Sequence, residues 1–261
     1  MDRRIELASR IRTGRPTLGT WMQIPHPMVA EVMAQSGFDF VLLDGEHAPV
    51  PPDILYALLP ALERHGMSVV YRVRSNTSDL IKAALDSGVT GVIVPMVNSP
   101  GEAEEAVAAA KYPPLGRRGF GPWRASNYYR EEASYAASAK DTPLIVQIET
   151  AAALAAVDEI ASVGGIDALY VGPADLAMSL GLPVGQLNDQ LRKACAKVSE
   201  AAARNSIAAG IDVASLDYVP VYRELGYSLM THGLDTGYIL AGGQQHSAAL
   251  RDAYGAVGNR Q

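Results

Sequence analysis

The chain has 261 residues, 48% of them hydrophobic and 19% charged, and a net charge of −6. That size and apolar content suit one α/β barrel or two smaller domains, while the acidic balance and the lack of a dense basic stretch exclude a nucleic-acid footprint. The charged start Met1-Asp2-Arg3-Arg4-Ile5-Glu6 argues against a secretory leader, no run nears the roughly 20 apolar residues of a membrane span, and the single Cys195 excludes an internal disulfide; a cytoplasmic protein is the expectation.

Apolar β-type runs alternate with helix-period segments along the chain. Strand 17–23 leads to helix 27–35, strand 38–43 to helix 52–65, strand 68–73 to helix 78–87, and strand 91–95 to helix 100–111. Strand 144–148 then leads to helix 151–163, strand 168–171 to helix 187–205, strand 207–211 to helix 216–224, and strand 228–231 to a last helix from residue 234 onward. Eight βα units predict a single-domain (β/α)8 TIM barrel over residues 1–261, with a doubly wound sheet as the rival. Glycines 37, 88 and 226 follow predicted helices, where positive φ can turn the chain into the next strand. The connection 112–141 breaks the rhythm, with Pro113-Pro114 and the run Arg117-Arg118-Gly119-Phe120-Gly121-Pro122-Trp123-Arg124; its length predicts a lid or a subunit contact.

Barrels keep chemistry at the C-terminal ends of their strands. There the second strand carries Asp44-Gly45-Glu46-His47, the third Arg72 and Arg74, the fifth Gln147-Ile148-Glu149, and the sixth Gly172-Pro173-Ala174-Asp175. Glu149 and Asp175 without clustered cysteines or histidines make an all-oxygen site, which selects Mg²⁺ or Mn²⁺, with Co²⁺ a third option, and leaves positions for substrate oxygens. A 2-oxo acid chelated there would lose an α-proton, and the planar fork of Arg72 would stabilise the enolate oxygen. His47 is suited to general acid/base work, and Asp86 is a candidate to orient it. No lysine falls in a predicted strand, which disfavours an imine route.

The motifs Asp44-Gly45-Glu46-His47-Ala48-Pro49, Val94-Pro95-Met96-Val97, Tyr112-Pro113-Pro114, Arg117-Arg118-Gly119, Gln147-Ile148-Glu149-Thr150 and Gly172-Pro173-Ala174-Asp175-Leu176 resemble the HpcH/HpaI family of metal-dependent (class II) pyruvate aldolases. The resemblance implies a lyase that reversibly cleaves a 4-hydroxy-2-oxo acid to pyruvate and an aldehyde, in the catabolism of aromatic compounds or sugar acids. It implies that Glu149 and Asp175 are metal ligands, that Arg72 binds the pyruvyl oxygens, and that His47 paired with Asp86 handles protons. It further implies that Asp44 holds metal-bound water and that Gln147 with Gly172, Pro173 and Ala174 surrounds pyruvate. A homohexamer built as a trimer of dimers, with the C-terminal helix exchanged between neighbours, is implied as well.

Departures from the family pattern fall where the aldehyde is expected, at Asp212 after the seventh strand and His232 after the eighth. Asp212 is read as an acceptor-pocket residue that repels acidic aldehydes and favours hydroxylated ones, or as a partner of His232 or an arginine. Trp123 and Arg124 are read as shaping the same pocket across a subunit boundary. Two other readings of the barrel are another enolate-forming lyase, of the citryl-CoA lyase or phosphoenolpyruvate-mutase type, and a non-catalytic metabolite-binding protein.

Overall fold

The computed structural model describes residues 3–258, so residues 1, 2 and 259–261 of the expected domain lie outside the described residues. Eight strands run in chain order: β1 (Thr17–Met22), β2 (Phe40–Asp44), β3 (Ser68–Arg72), β4 (Gly91–Val94), β5 (Leu144–Ile148), β6 (Ala168–Val171), β7 (Ala208–Asp212) and β8 (Leu229–Leu234). Each pairs in parallel with the next, and β8 closes onto β1. The expected (β/α)8 barrel is therefore the fold, and the doubly wound sheet is ruled out because this sheet has no edge strand.

Period-2 alternation assigns each strand residue to the barrel interior or to the helical layer. Phe40, Leu42, Val70, Ile93, Ile145, Ala168, Tyr170, Ala208 and Leu229 pack inside, whereas Val41, Leu43, Val69, Tyr71, Val146, Leu169, Ile211 and Met230 pack outward against the helices. A Cβ at Gly210 would lie 2.7 Å from Tyr170 Cδ2, so glycine on β7 makes room for the large β6 side chain.

The coat comprises α2 (Pro27–Met33), α3 (Leu55–Arg64), α4 (Ser78–Ser87), α5 (Pro100–Ala110), the short α7 (Ala151–Ala155), α8 (Val157–Ala161) and α9 (Pro173–Ser179), then α10 (Asp189–Arg204) and α11 (Val219–Glu224). Gly88 ends α4 as expected, at φ 98° with its N–H on Leu85 O. Among the helices not predicted is α1 (Arg3–Arg12), whose Leu7 and Ile11 enter the interior cluster. Its four arginines hide a short apolar stripe of Leu7, Ala8 and Ile11.

The connection between α5 and β5 contains α6 (Glu132–Ser138) and runs along the flank toward the N-terminal end of the barrel. Arg124 Nη2 reaches Glu63 Oε2 at 2.7 Å and its Nη1 the carbonyl of Ser87 at 2.8 Å, at the last turns of α3 and α4. None of its residues lines the cavity at the C-terminal strand ends, so the expected lid does not form over that mouth within one chain.

The last helix, α12 (Asp235–Gly258), leaves the barrel: from Thr236 to Tyr254 only Gly242 is even half-buried. Next to its start, outside β1 and β8, lies an apolar groove of about 710 Å³ walled by Leu18, Phe38, Leu216, Val219, Met230 and Tyr238. No helix of the described residues is long and apolar enough to cross a membrane.

Candidate active site

The C-terminal strand ends converge on a cavity of about 200 Å³. Its wall takes Trp21 from β1 and Gln23 just beyond it, Asp44 and His47 from β2 and its loop, and Arg72 from β3. The opposite wall is Gln147, Tyr170, Gly172, Pro173, Ala174 and Asp175, and Asp212 and Leu234 complete it. Nine of the predicted site residues thus come together around one space.

Asp44 is fully buried and organises one side. Its Oδ1 accepts from Arg72 Nε at 3.0 Å and from the amides of Glu46 and His47, both at 3.1 Å, while Oδ2 accepts from Gln23 Nε2 at 3.0 Å. Burial opposes its ionisation, but the Arg72 charge, the His47 amide and Gln23 prevail and hold the carboxyl below its ordinary range. Arg72 also reaches Glu46 Oε2 through Nη1 at 3.2 Å and lies 4.4 Å over the Trp21 ring. The guanidinium is thereby fixed in plane and direction at the cavity wall.

Glu149 is buried at the end of β5. Its Oε1 accepts from the Met96 amide at 2.7 Å and Oε2 from Gln147 Nε2 at 2.6 Å. Met96 holds a left-handed backbone with φ 56°, a conformation that costs a non-glycine residue about 1 kcal/mol or more and marks functional sites. Burial, reinforced by the negative charges of Glu46 and Asp175, pushes the Glu149 carboxyl up to about 7 against the opposing Met96 amide and Arg72. Burial likewise raises Glu46. Asp175 sits exposed in the first turn of α9.

This donor set fits a hard divalent cation. Three carboxylates, Glu46, Glu149 and Asp175, feel one another's charge, the Oε1 of Gln147 is buried without a hydrogen-bond partner, and a Cβ at Gly172 would come within 2.9 Å of both Gln147 Nε2 and Glu149 Oε2. A cation relieves such repulsion and uses such oxygens. Among the described residues no group of three His, Cys, Asp or Glu is placed to hold a metal ion.

On the far wall, Trp21 Nε1 and Thr231 Oγ1 both lie 2.7 Å from Asp212 Oδ1, and Tyr170 Oη is hydrogen-bonded to Thr231 Oγ1. Among the described residues Asp212 therefore pairs neither with His232 nor with an arginine. His232 turns outward by strand parity, contacts the carbonyl of Val213 at 2.6 Å and lines the external groove. Trp21, Gln23, Tyr170 and Thr231 were not singled out in the sequence, although each shares the inward parity of a neighbour that was.

His47 is largely exposed, with Nε2 3.7 Å from Glu46 Oε2. The structure does not bring Asp86 to it within one chain: Asp86 closes the last turn of α4, and its Oδ1 lies 2.5 Å from Arg118 Nη2. Helices of a βα barrel end where the strands begin, so this carboxylate belongs to the opposite end of the molecule. Arg124 lies at that end, and Trp123 packs against Tyr56 and Tyr128 on the outer flank, with ring centroids 5.9 and 5.1 Å away. Neither Trp123 nor Arg124 lines the cavity of its own chain.

Comparison with known proteins identifies the family. The family model described as HpcH/HpaI aldolase/citrate lyase matches residues 17–241. The chain is 35% identical over 238 residues to the 2-dehydro-3,6-dideoxy-6-sulfogluconate aldolase of Pseudomonas putida, covering 90% of this chain and 92% of that one. It is 36% identical over 245 residues to a hydroxypyruvate/pyruvate aldolase of Deinococcus radiodurans, covering 92% and 87%. The crystal structure of an HpcH/HpaI aldolase/citrate lyase family protein from Burkholderia cenocepacia J2315 superposes with a TM-score of 0.88 at 31% identity, over 94% of this chain and 99% of that one. With its closed barrel and its acidic strand ends, the chain belongs to the HpcH/HpaI aldolase/citrate lyase family and is a carbon–carbon lyase.

Proposed function

We propose that the chain reversibly cleaves a 4-hydroxy-2-oxo acid to pyruvate and an aldehyde, with Glu149 and Asp175 holding Mg²⁺, Mn²⁺ or Co²⁺. The observation that carries this reading is the rigid Arg72 fork and exposed Asp175 on one small cavity, with Glu149 buried just behind the Gln147 and Gly172 of its wall. Relatives named hydroxypyruvate/pyruvate aldolase support the donor class. A divalent cation bound there supplies Lewis acidity, which acidifies the donor's C3 protons and lowers the energy of its enolate.

The residues supply position and proton transfer. Gln147 and the Gly172–Ala174 backbone flank the oxo acid, and Arg72, locked by Asp44 and Glu46, presents its donors to the developing enolate oxygen. In the cleavage direction the C4 hydroxyl loses its proton, the C3–C4 bond breaks with its electrons passing to the enolate, and C3 then takes up a proton to give pyruvate. His47, exposed at the rim, carries these protons. Asp44 orients water at the site through the network it already anchors.

Asp86, Trp123 and Arg124 serve such a site only from a neighbouring chain. The projecting α12 and the apolar groove outside β1 and β8 support an assembly in which that helix is exchanged, and a hexamer arranged as a trimer of dimers is the form we propose. Such an enzyme suits cytoplasmic catabolism.

The test is exchange of the C3 protons of pyruvate in deuterated water, followed by NMR. The purified protein with Mn²⁺ or Mg²⁺ should catalyse it, and exhaustive chelation should stop it. Exchange that persists after chelation, or is absent with all three cations, overturns the reading.

A further inference from the structure

Asp212 is a carboxylate half-committed to the protein. Its Oδ1 accepts from the indole N–H of Trp21, which can only donate. Thr231 donates to the same oxygen and accepts from Tyr170, whose hydroxyl is fully buried and raised well above its usual range, so that it keeps its proton. Every hydrogen in this chain therefore points toward Asp212. Its Oδ2 takes no hydrogen bond from the described residues and is not among their buried partnerless atoms, while the side chain lines the cavity. An acceptor-only oxygen is thus held in a fixed direction at the wall formed by β7, β8 and β1.

The oxo acid, in the reading above, occupies the side bounded by Asp175, Gln147 and Arg72, which leaves the Asp212 wall for the aldehyde. We infer that Asp212 accepts a hydrogen bond from a hydroxyl group on the aldehyde, and so selects hydroxylated acceptors of the glycolaldehyde and glyceraldehyde class. A hydroxyl brings the hydrogen that Trp21 and Thr231 have already spent on Oδ1. An alkyl aldehyde leaves the carboxylate desolvated and unpaired, and an acceptor with its own carboxylate meets a like charge. The inference rests on the aldolase reading and deepens it.

The test compares kcat/KM for glycolaldehyde, propanal and succinate semialdehyde, each with pyruvate as donor. The wild-type protein should prefer glycolaldehyde to propanal by about tenfold to 100-fold, the worth of one hydrogen bond to a charged group, and should use succinate semialdehyde least. Asp212→Leu should lose the preference. Asp212→Asn, which keeps the side-chain shape and the Trp21 contact should Leu fail to fold, should raise the use of succinate semialdehyde relative to wild type. Equal use of glycolaldehyde and propanal by the wild-type protein, or an unchanged ratio in both variants, overturns the inference. Wild-type exchange of pyruvate C3 protons separates the two failures: if it occurs without a hydroxyl preference, only the acceptor assignment falls, and if it is absent, the aldolase reading falls first.

Discussion

Trp21 on β1 and Asp212 on β7, two strands separated by β8, are joined by an indole hydrogen bond of 2.7 Å, and the same indole carries Arg72 on its face 4.4 Å from the ring centroid. One aromatic side chain thus sets the separation between the cationic and anionic walls of the cavity. Trp21→Phe keeps a ring under Arg72 but removes the donor. A hydrogen bond to a charged group contributes about 1.5–3 kcal/mol, so urea unfolding should show a loss of that order. The KM for the aldehyde should rise more than that for pyruvate.

Arg72→Ala leaves Asp44 buried without its cation. Breaking one partner of a buried pair costs about 3–5 kcal/mol, and chemical denaturation should show that loss. Arg72→Lys restores the charge without the fork. It should recover part of the stability while kcat/KM stays depressed; a lysine variant of normal activity would show that the planar donor pair is not needed.

The Glu149 carboxyl, pushed up to about 7, makes metal binding and stability depend on pH in opposite ways. Between the ordinary glutamate value of 4.5 and about 7, the folded metal-free protein holds a proton that the unfolded chain has released. Stability in chelator should therefore fall as pH rises through that window. Affinity for Mn²⁺ should weaken by about tenfold per pH unit below 7, as one proton competes with the cation. Thermal unfolding from pH 5 to 8 and Mn²⁺ titrations over the same range check both signs.

His47 and Asp86 lie at opposite ends of one chain, so any joint action requires two chains. His47→Ala should lower proton exchange by about 10²–10⁴-fold, and Asp86→Ala should lower it as well. Mixed oligomers of the two variants regain sites with both side chains intact, and their activity should exceed that of either variant alone. Activity equal to the average of the two separate samples would remove Asp86 from the reaction.

The strand positions were legible because burial on both faces writes each strand as an apolar run, and all eight fall within two residues of their predicted starts. The length of β8 was not, since Gly233 interrupts the pattern before Leu234. The short α6 and α9 were hidden for another reason: α6 lies inside the long connection between α5 and β5, and α9 follows β6 with only Gly172 between them. The acids at strand ends were visible from their place in the chain, whereas the left-handed backbone of Met96 and the pairing of Trp21 with Asp212 arise only when distant strands meet. Trp123 and Arg124 were read as acting across a subunit boundary from their place in the long connection, whereas the pairing of Asp86 with His47 was read without regard to which chain supplies each, because a strand-and-helix pattern carries no information on that.

Asp44 receives hydrogen bonds from Gln23 just beyond β1, Arg72 on β3 and the loop amides of Glu46 and His47, all from within the chain. The entropy of ordering that loop is therefore spent in folding, not at each encounter with substrate. Association of an oxo acid should be a single kinetic phase, linear in ligand concentration and free of a saturating closure step. Stopped-flow measurement with pyruvate would then report access to the barrel mouth, and a variant that frees the loop, such as Asp44→Asn, should introduce a second, slower phase.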